Sequence, residues 1–242
     1  MAEWAALGAG ALAGGALLLG SLIAWFVDVP RRVVATIMAF GSGVLISALA
    51  FDLIGEAADE GGFWPAMAGF LCGAVVYVAA NLILDRVNAR NRRGTTESPG
   101  TGTGIAIGAL LDGVPETAIL GLSMIGGGQV SVPVLLAILI SNVPEGLAST
   151  AELKADGRQP RYVFTLWIGI TVACALSSLG GFVLLQDASA GGAAFVTAVA
   201  AGAILAMICD TMIPEAFREA GAFTGLIATV GFFVSFGIHQ LN

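Results

Sequence analysis

Apolar residues recur along the chain in long runs that short polar connectors separate. A transmembrane helix needs about 20 mostly apolar residues, and eight windows of this sequence reach that length. Segments of alternating hydrophobicity, which a membrane β-barrel requires, do not occur. The pattern predicts an all-α, polytopic membrane protein that forms one transmembrane domain over 1–242. The eight predicted helices cover residues 4–26, 33–54, 63–84, 103–125, 132–153, 162–185, 193–213 and 221–239.

The connectors differ sharply in charge. All ten Lys and Arg residues lie between an odd-numbered predicted helix and the even-numbered helix that follows it. Positive residues mark the cytoplasmic side of a membrane protein. The distribution therefore predicts that the longest connector, 85–102, is a cytoplasmic loop. It also predicts a multi-pass protein of the cell (inner) membrane with both termini outside the cytoplasm.

The composition narrows the function classes. Apolar residues make up 57% of the chain and charged residues 11%, against roughly 25% charged in soluble domains. Too little charge is present to solvate the surface of a soluble enzyme, and the chain is too apolar to be disordered. A net charge of −7 argues against a nucleic-acid binder. The three cysteines lack CxxC spacing and predict neither a disulfide framework nor a zinc-finger-like site.

Two pairs of segments resemble each other within the chain. Residues 43–62 match 202–221 at an offset of 159, which aligns Glu56 with Glu215, and residues 112–120 match 141–149 at an offset of 29. The paired segments run in opposite directions through the membrane. They predict an inverted repeat of three helices on each side of a central pair, a 3+2+3 arrangement. Inverted repeats with interrupted helices point to a transport site.

Acidic side chains lie inside the predicted helices, where charge is costly. Asp112 and Glu116 are four residues apart and share one helix face, and Ser141 and Glu145 have the same spacing. No Lys or Arg lies within a predicted helix to pair with them. Clustered oxygen ligands of this kind suit divalent cations. The alternative is that the acids are protonated and form hydrogen bonds between helices.

Three prolines accompany these acids, since Pro115, Pro144 and Pro214 each precede a glutamate. A proline inside a helix bends it and frees a carbonyl four residues back. We therefore expect interruptions of the helix here, with free carbonyls beside the carboxylates. The predicted metal-binding residues are Asp112, Glu116, Ser141, Asn142, Glu145 and Asp210.

Three further acids lie nearer the predicted membrane faces. Glu56 and Glu215 fall near the outer and inner ends of their helices, and Asp52 precedes Glu56 by one turn. We interpret Asp52, Glu56 and Glu215 as pathway or gate residues that attract a cation at each mouth. Ordinary solvation of a helix end is the alternative for Glu56 and Glu215. The single histidine, His239, is interpreted as interfacial and not as a ligand.

The motifs and topology together resemble the ZIP (Zrt/Irt-like protein) family of metal transporters. That family has eight helices, both termini outside, a 3+2+3 inverted repeat and a long cytoplasmic loop after the third helix. Residues 141–148, SNVPEGLA, resemble its HNxPEGLA motif, and 112–117, DGVPET, resemble the related motif of the fourth helix more loosely. Asp210, shortly before Pro214 and Glu215, matches an acid of its seventh helix. The resemblance also implies a homodimer.

The metal-site histidines of that family are replaced here, as in a bacterial-type member with an altered site. Asp112 and Ser141 stand where the family has histidine, and Gly113 stands for an asparagine. A site of oxygen ligands favours hard ions such as manganese, magnesium or ferrous iron, although carboxylates also bind zinc.

The sequence predicts a divalent-metal permease that moves its cargo toward the cytoplasm, with release on protonation as one option. It predicts no enzyme, no nucleic-acid partner and no cofactor other than the transported ion; its surroundings are the lipid bilayer. A proton-coupled carrier of a small organic solute and a family member that no longer transports remain alternatives. The second alternative rests on the replaced histidines.

Overall fold

The protein is helical throughout the part that the structure covers. A computed structural model describes residues 1–92, 102–125 and 129–241, and no strand occurs among them, which confirms the all-α class. The helices are α1 (Ala2–Phe26), α2 (Arg31–Ala48), α3 (Glu56–Gly61), α4 (Phe63–Arg92), α5 (Gly102–Leu122), α6 (Val132–Ala155), α7 (Pro160–Leu185), α8 (Ala190–Met207), α9 (Ile213–Ala220) and α10 (Thr224–Leu241).

Several of these segments are built to cross a membrane. Among the described residues, six are long and apolar enough, and the last of them is 52 residues long. They make the chain a multi-pass membrane protein. The six segments are Ala2–Phe26, Arg31–Gly61, Phe63–Leu84, Val132–Ala155, Pro160–Leu185 and Ala190–Leu241. Helix α5 overlaps the predicted helix 103–125 but ends at Leu122, and it is not among the six, so the count of eight stays a prediction.

Two helices contain a π-helical turn, in which backbone hydrogen bonds skip one more residue than in an α-helix. Leu49–Gly55 joins α2 to α3, and Ile208–Met212 joins α8 to α9. Each composite helix then ends at a glycine with positive φ, Gly62 at 93° and Gly221 at 64°. Only glycine adopts this conformation without steric cost. These glycines let α4 and α10 turn back into the helix assembly.

The helices form two bundles. In the first bundle, α1 packs against α6 and α7, and α5 packs against α7. In the second bundle, α2 packs against α10, α4 packs against α8, and α3 and α9 complete it. The bundles meet mainly where α2 contacts α6 and where α5 contacts α8. The PE motifs on α5 and α6 therefore lie next to this junction.

Glycines set the close approach of helices within the second bundle. A Cβ atom at Gly43 would overlap the carbonyl of Ala228 on α10, and one at Gly202 would overlap the carbonyl of Phe70 on α4. Small residues allow helix backbones to approach this closely in a membrane. At these positions glycine therefore permits contact between the backbones of neighbouring helices.

Two sequence expectations need adjustment. Helix α4 continues to Arg92, so the first residues of the predicted loop 85–102 are helical because the turn-forming residues come later; residues 93–101 lie outside the described ranges. Helices α5 and α6 also run on through Pro115 and Pro144. Pro214 is the second residue of α9 and directly follows the π-helical turn Ile208–Met212, so it too lies within a continuing helix.

Candidate functional site

A small cavity lies at the junction of the two bundles. It encloses about 160 Å³, and its acidic lining residues come from three helices: Asp112 from α5, Glu145 from α6 and Glu215 from α9. None of the described residues that line it is basic. The remaining lining residues are Met38, Gly108, Ala109, Ser141, Ser149, Met207, Thr211 and Met212.

Glu145 is the electrostatic centre of this acidic group. It interacts electrostatically with Asp112, Glu116 and Glu215. Like charges in a space of low dielectric repel strongly, so such a group favours protons or a bound cation. The acidic side chains can therefore attract a cation in the conformation described here.

Glu116 lies next to the cavity and does not line it. Its side chain is 0% exposed, and neither carboxylate oxygen has a hydrogen-bond partner among the described residues. Burial of an ionised carboxylate without a partner is costly. Glu116 is thus a buried acid whose oxygens are available to a ligand or a proton.

Ser141 and Asn142 use their polar groups mainly in helix packing. The Asn142 amide donates to the carbonyl of Ala13 on α1 at 2.9 Å, and the Ser141 hydroxyl donates to the carbonyl of Ile138 at 3.0 Å. Asn142 is fully buried and does not line the cavity, whereas Ser141 does. Asn142 therefore positions α6 against α1.

Asp210 occupies a different environment from the other predicted ligands. Its side chain is exposed, and the cavity is lined instead by the next residues, Thr211 and Met212. Asp210 falls in the π-helical turn Ile208–Met212, where the spacing of side-chain directions departs from the α-helical period. The structure brings Asp112, Ser141 and Glu145 together and leaves Asp210 outside.

No preformed metal cage is present. Among the described residues, no three or more His, Cys, Asp and Glu side chains lie close enough together to hold a metal ion. The acids instead face a shared space from separate helices.

A second, larger cavity adjoins the first. It encloses about 310 Å³ and shares Met38 and Glu215 with the smaller one. Its lining also includes the acids Glu152 and Glu219 and two arginines. Glu215 therefore stands between the acidic cavity and a wider space at the arginine-bearing end of α2.

The π-helical turn Leu49–Gly55 carries a hydrogen-bonded pair, Asp52 with His239, that the pattern of apolar residues does not predict. The Nδ1 atom of His239 lies 2.8 Å from an oxygen of Asp52, and the His239 ring packs on Phe51. The other Asp52 oxygen is buried without a partner, and Glu56 interacts electrostatically with both residues. His239 thus joins the end of α10 to the π-helical turn that follows α2, and its interpretation as an interfacial residue stays a prediction.

We expect the Asp52–His239 pair to contribute to stability in a measurable way. A double-mutant cycle with Asp52→Asn and His239→Gln should give a coupling free energy of about 1 kcal/mol, because the pair is partly shielded from solvent. Thermal unfolding of the four proteins in detergent measures it. Additive effects within about 0.3 kcal/mol would show that the pair contributes nothing.

Tyr77 is a second residue that sequence reasoning missed. It lies on α4, is 5% exposed, and its hydroxyl donates to Asp112 at 3.2 Å. An isolated tyrosine in an apolar helix gives no sign of such a bond, since its acceptor lies on another helix.

Comparison with known proteins gives one informative similarity. No family model matches the chain. The chain is 30% identical over 207 residues to a protein of Arabidopsis thaliana named "Putative zinc transporter". The matched region covers 84% of this chain and 33% of that protein, so the chain spans about a third of the length of this relative.

Proposed function

We propose that the chain is a ZIP-like transporter of divalent metal ions. The observation that carries this proposal is the cavity lined by Asp112, Glu145 and Glu215 from three different helices, with no basic residue among its described lining. Clustered carboxylates inside a membrane favour a divalent cation as their partner. The similarity to a protein named as a zinc transporter supports a transporter and not an enzyme.

The proposed topology has eight membrane-spanning helices in a 3+2+3 inverted repeat. The offset of 159 relates two of the three described glycines with positive φ, Gly62 and Gly221, and it also relates the starts of the two π-helical turns, Leu49 and Ile208. The packing pairs support the same relation, because α2 with α10 corresponds to α8 with α4. The basic connectors then face the cytoplasm of the cell (inner) membrane, with both termini outside.

In the proposed site, Asp112 and Glu145 first contact the ion, assisted by the Ser141 hydroxyl. Glu116 is proposed as an additional ligand beside them, because both of its carboxylate oxygens are buried without a hydrogen-bond partner among the described residues. Asn142 holds α6 in place, and Asp210 would join only after a rotation of its helix. A carboxylate that binds a proton releases its ion, so proton-linked transport is part of the proposal.

The proposed path runs from Asp52 and Glu56 at the outer mouth to Glu215 at the inner one. The two adjoining cavities share Glu215, which supports an opening toward the predicted cytoplasm. Rocking of the second bundle against the first would alternate access to the site. An inside-negative potential favours inward movement by about 2.3 kcal/mol per charge per 100 mV.

The oxygen ligands favour manganese or ferrous iron, with zinc as a further candidate cargo. The one histidine, His239, is paired with Asp52, away from the cavity. An organic solute is disfavoured, because none of the described residues that line the acidic cavity is aromatic. A member that has lost transport stays an alternative, and a homodimer is expected from the resemblance alone.

Uptake into liposomes tests the proposal. We expect the purified protein to accelerate entry of at least one of manganese, zinc, iron, cobalt and cadmium. Asp112→Asn and Glu145→Gln should each reduce the rate by at least about tenfold, since changes around metal ligands act on a 10–100-fold scale. Asp187→Asn, at an exposed acid, serves as the matched control. Entry no faster than in empty liposomes, or full activity of both site variants, would contradict the proposal.

A further inference from the structure

We propose that Tyr77 is a positioning residue that holds the two bundles in the conformation seen here through its hydrogen bond to Asp112. The bond connects α4 of the second bundle to α5 of the first, with 3.2 Å between the two oxygens. The inference deepens the proposed function, because Asp112 is one of the acids of the proposed site. It assigns a role to a residue outside the acidic cavity.

The hydrogen bond from Tyr77 to Asp112 differs from the others in joining helices of different bundles. Among the side-chain hydrogen bonds of residues 1–92, 102–125 and 129–241, it is the one that joins the two bundles. The Asn142–Ala13, Trp167–Thr150 and Thr171–Gly14 bonds stay within the first bundle, and the Asp52–His239 pair stays within the second. The remaining ones are local or equally confined to one side of the junction.

Relative movement of the bundles must break this bond. Tyr77 is 5% exposed, so its hydroxyl has little access to water while the junction stays closed. The separation of 3.2 Å is at the long end for a bond between two oxygens, so we assign it the net strength of a typical hydrogen bond. The bond therefore favours the conformation in which the acidic cavity adjoins the larger one, and it fixes the Asp112 carboxylate relative to α4.

Loss of the hydroxyl should shift the population of conformations. Tyr77→Phe removes the donor and keeps the ring, so the ratio of this conformation to the others should fall about fivefold, which corresponds to a typical net hydrogen bond. The matched control is Tyr162→Phe. Tyr162 is the only other tyrosine of the chain, and it is exposed near Arg158, away from the junction.

Spin-label distances measure this ratio without any metal. Labels at Ala151→Cys on α6 and Phe217→Cys on α9 report the separation of the bundles; Cys72 and Cys209, which are exposed, are first replaced by serine. We expect Tyr77→Phe to lower the population of the distance seen here, with Tyr162→Phe unchanged. Uptake kinetics should show a lower KM for the transported ion in Tyr77→Phe, because more protein is open to the other side.

A second variant keeps the test decisive if Tyr77→Phe is poorly folded. Asp112→Leu removes the acceptor and should shift the distances in the same direction, and the double variant should add nothing further. Distances in Tyr77→Phe that equal those of the wild type would overturn the role of Tyr77. Absence of any ion uptake by the wild type would overturn the proposed function, while the distance measurement still decides the role of Tyr77.

Discussion

Replacement of Glu116 by methionine is expected to make the metal-free protein more stable and to slow ion uptake by about tenfold. The side chain is 0% exposed, and both of its oxygens lack a partner among the described residues. Removal of a buried polar group without a partner relieves a desolvation cost of about 1–3 kcal/mol. Methionine has a similar volume and fills the same space. Selection for function retains such destabilising groups.

Thermal unfolding in detergent, with all metal chelated, gives the stability, and liposome uptake gives the activity. The control is Glu3→Met in the first turn of α1, where the side chain is exposed and a small effect on both measurements is expected. A lower unfolding temperature for Glu116→Met would mean that the acid stabilises helix packing through its protonated form. If Glu116→Met raises the unfolding temperature and leaves ion uptake unchanged, Glu116 is not a ligand of the transported ion.

Gly146→Ala is expected to destabilise the protein, whereas Gly15→Ala is expected to stabilise it. A Cβ atom at Gly146 would overlap the Leu17 carbonyl on α1, and one at Gly20 would overlap the Val143 carbonyl on α6. Overpacking of this kind costs about 1–3 kcal/mol. At Gly15, a Cβ atom meets no other atom within 4 Å, so alanine gains about 0.5–1 kcal/mol of helix propensity.

Denaturant unfolding of the two variants in the same detergent measures the difference. Both substitutions add one methyl group inside a helix. Opposite changes in the free energy of unfolding would therefore come from the contact between α1 and α6, which only the Gly146 substitution disturbs. Equal stability of the two variants would show that α1 and α6 do not cross as closely as described. Gly146 is the last residue of the NVPEG segment. Its contact with α1 gives a packing reason for glycine at this position of the motif.

The sequence alone predicted the helices well. Each membrane helix satisfies its own backbone hydrogen bonds, so a run of apolar residues is sufficient to define it. The predicted helices 4–26 and 132–153 accordingly differ from α1 and α6 by a few residues at their ends. The matching segments 43–62 and 202–221 each contain a π-helical turn, which the pattern of apolar residues did not predict.

The tertiary structure decided which polar side chains meet. Asp52 and His239 are 187 residues apart, and Tyr77 reaches Asp112 from another helix, so no local pattern reveals either contact. Asp210, which the resemblance placed at the site, lies in a π-helical turn and is exposed, because a π-helical turn departs from the α-helical spacing of side-chain directions. The sequence determined the helices because their hydrogen bonds are local. The site depended on the packing of separate helices, which only the fold specifies.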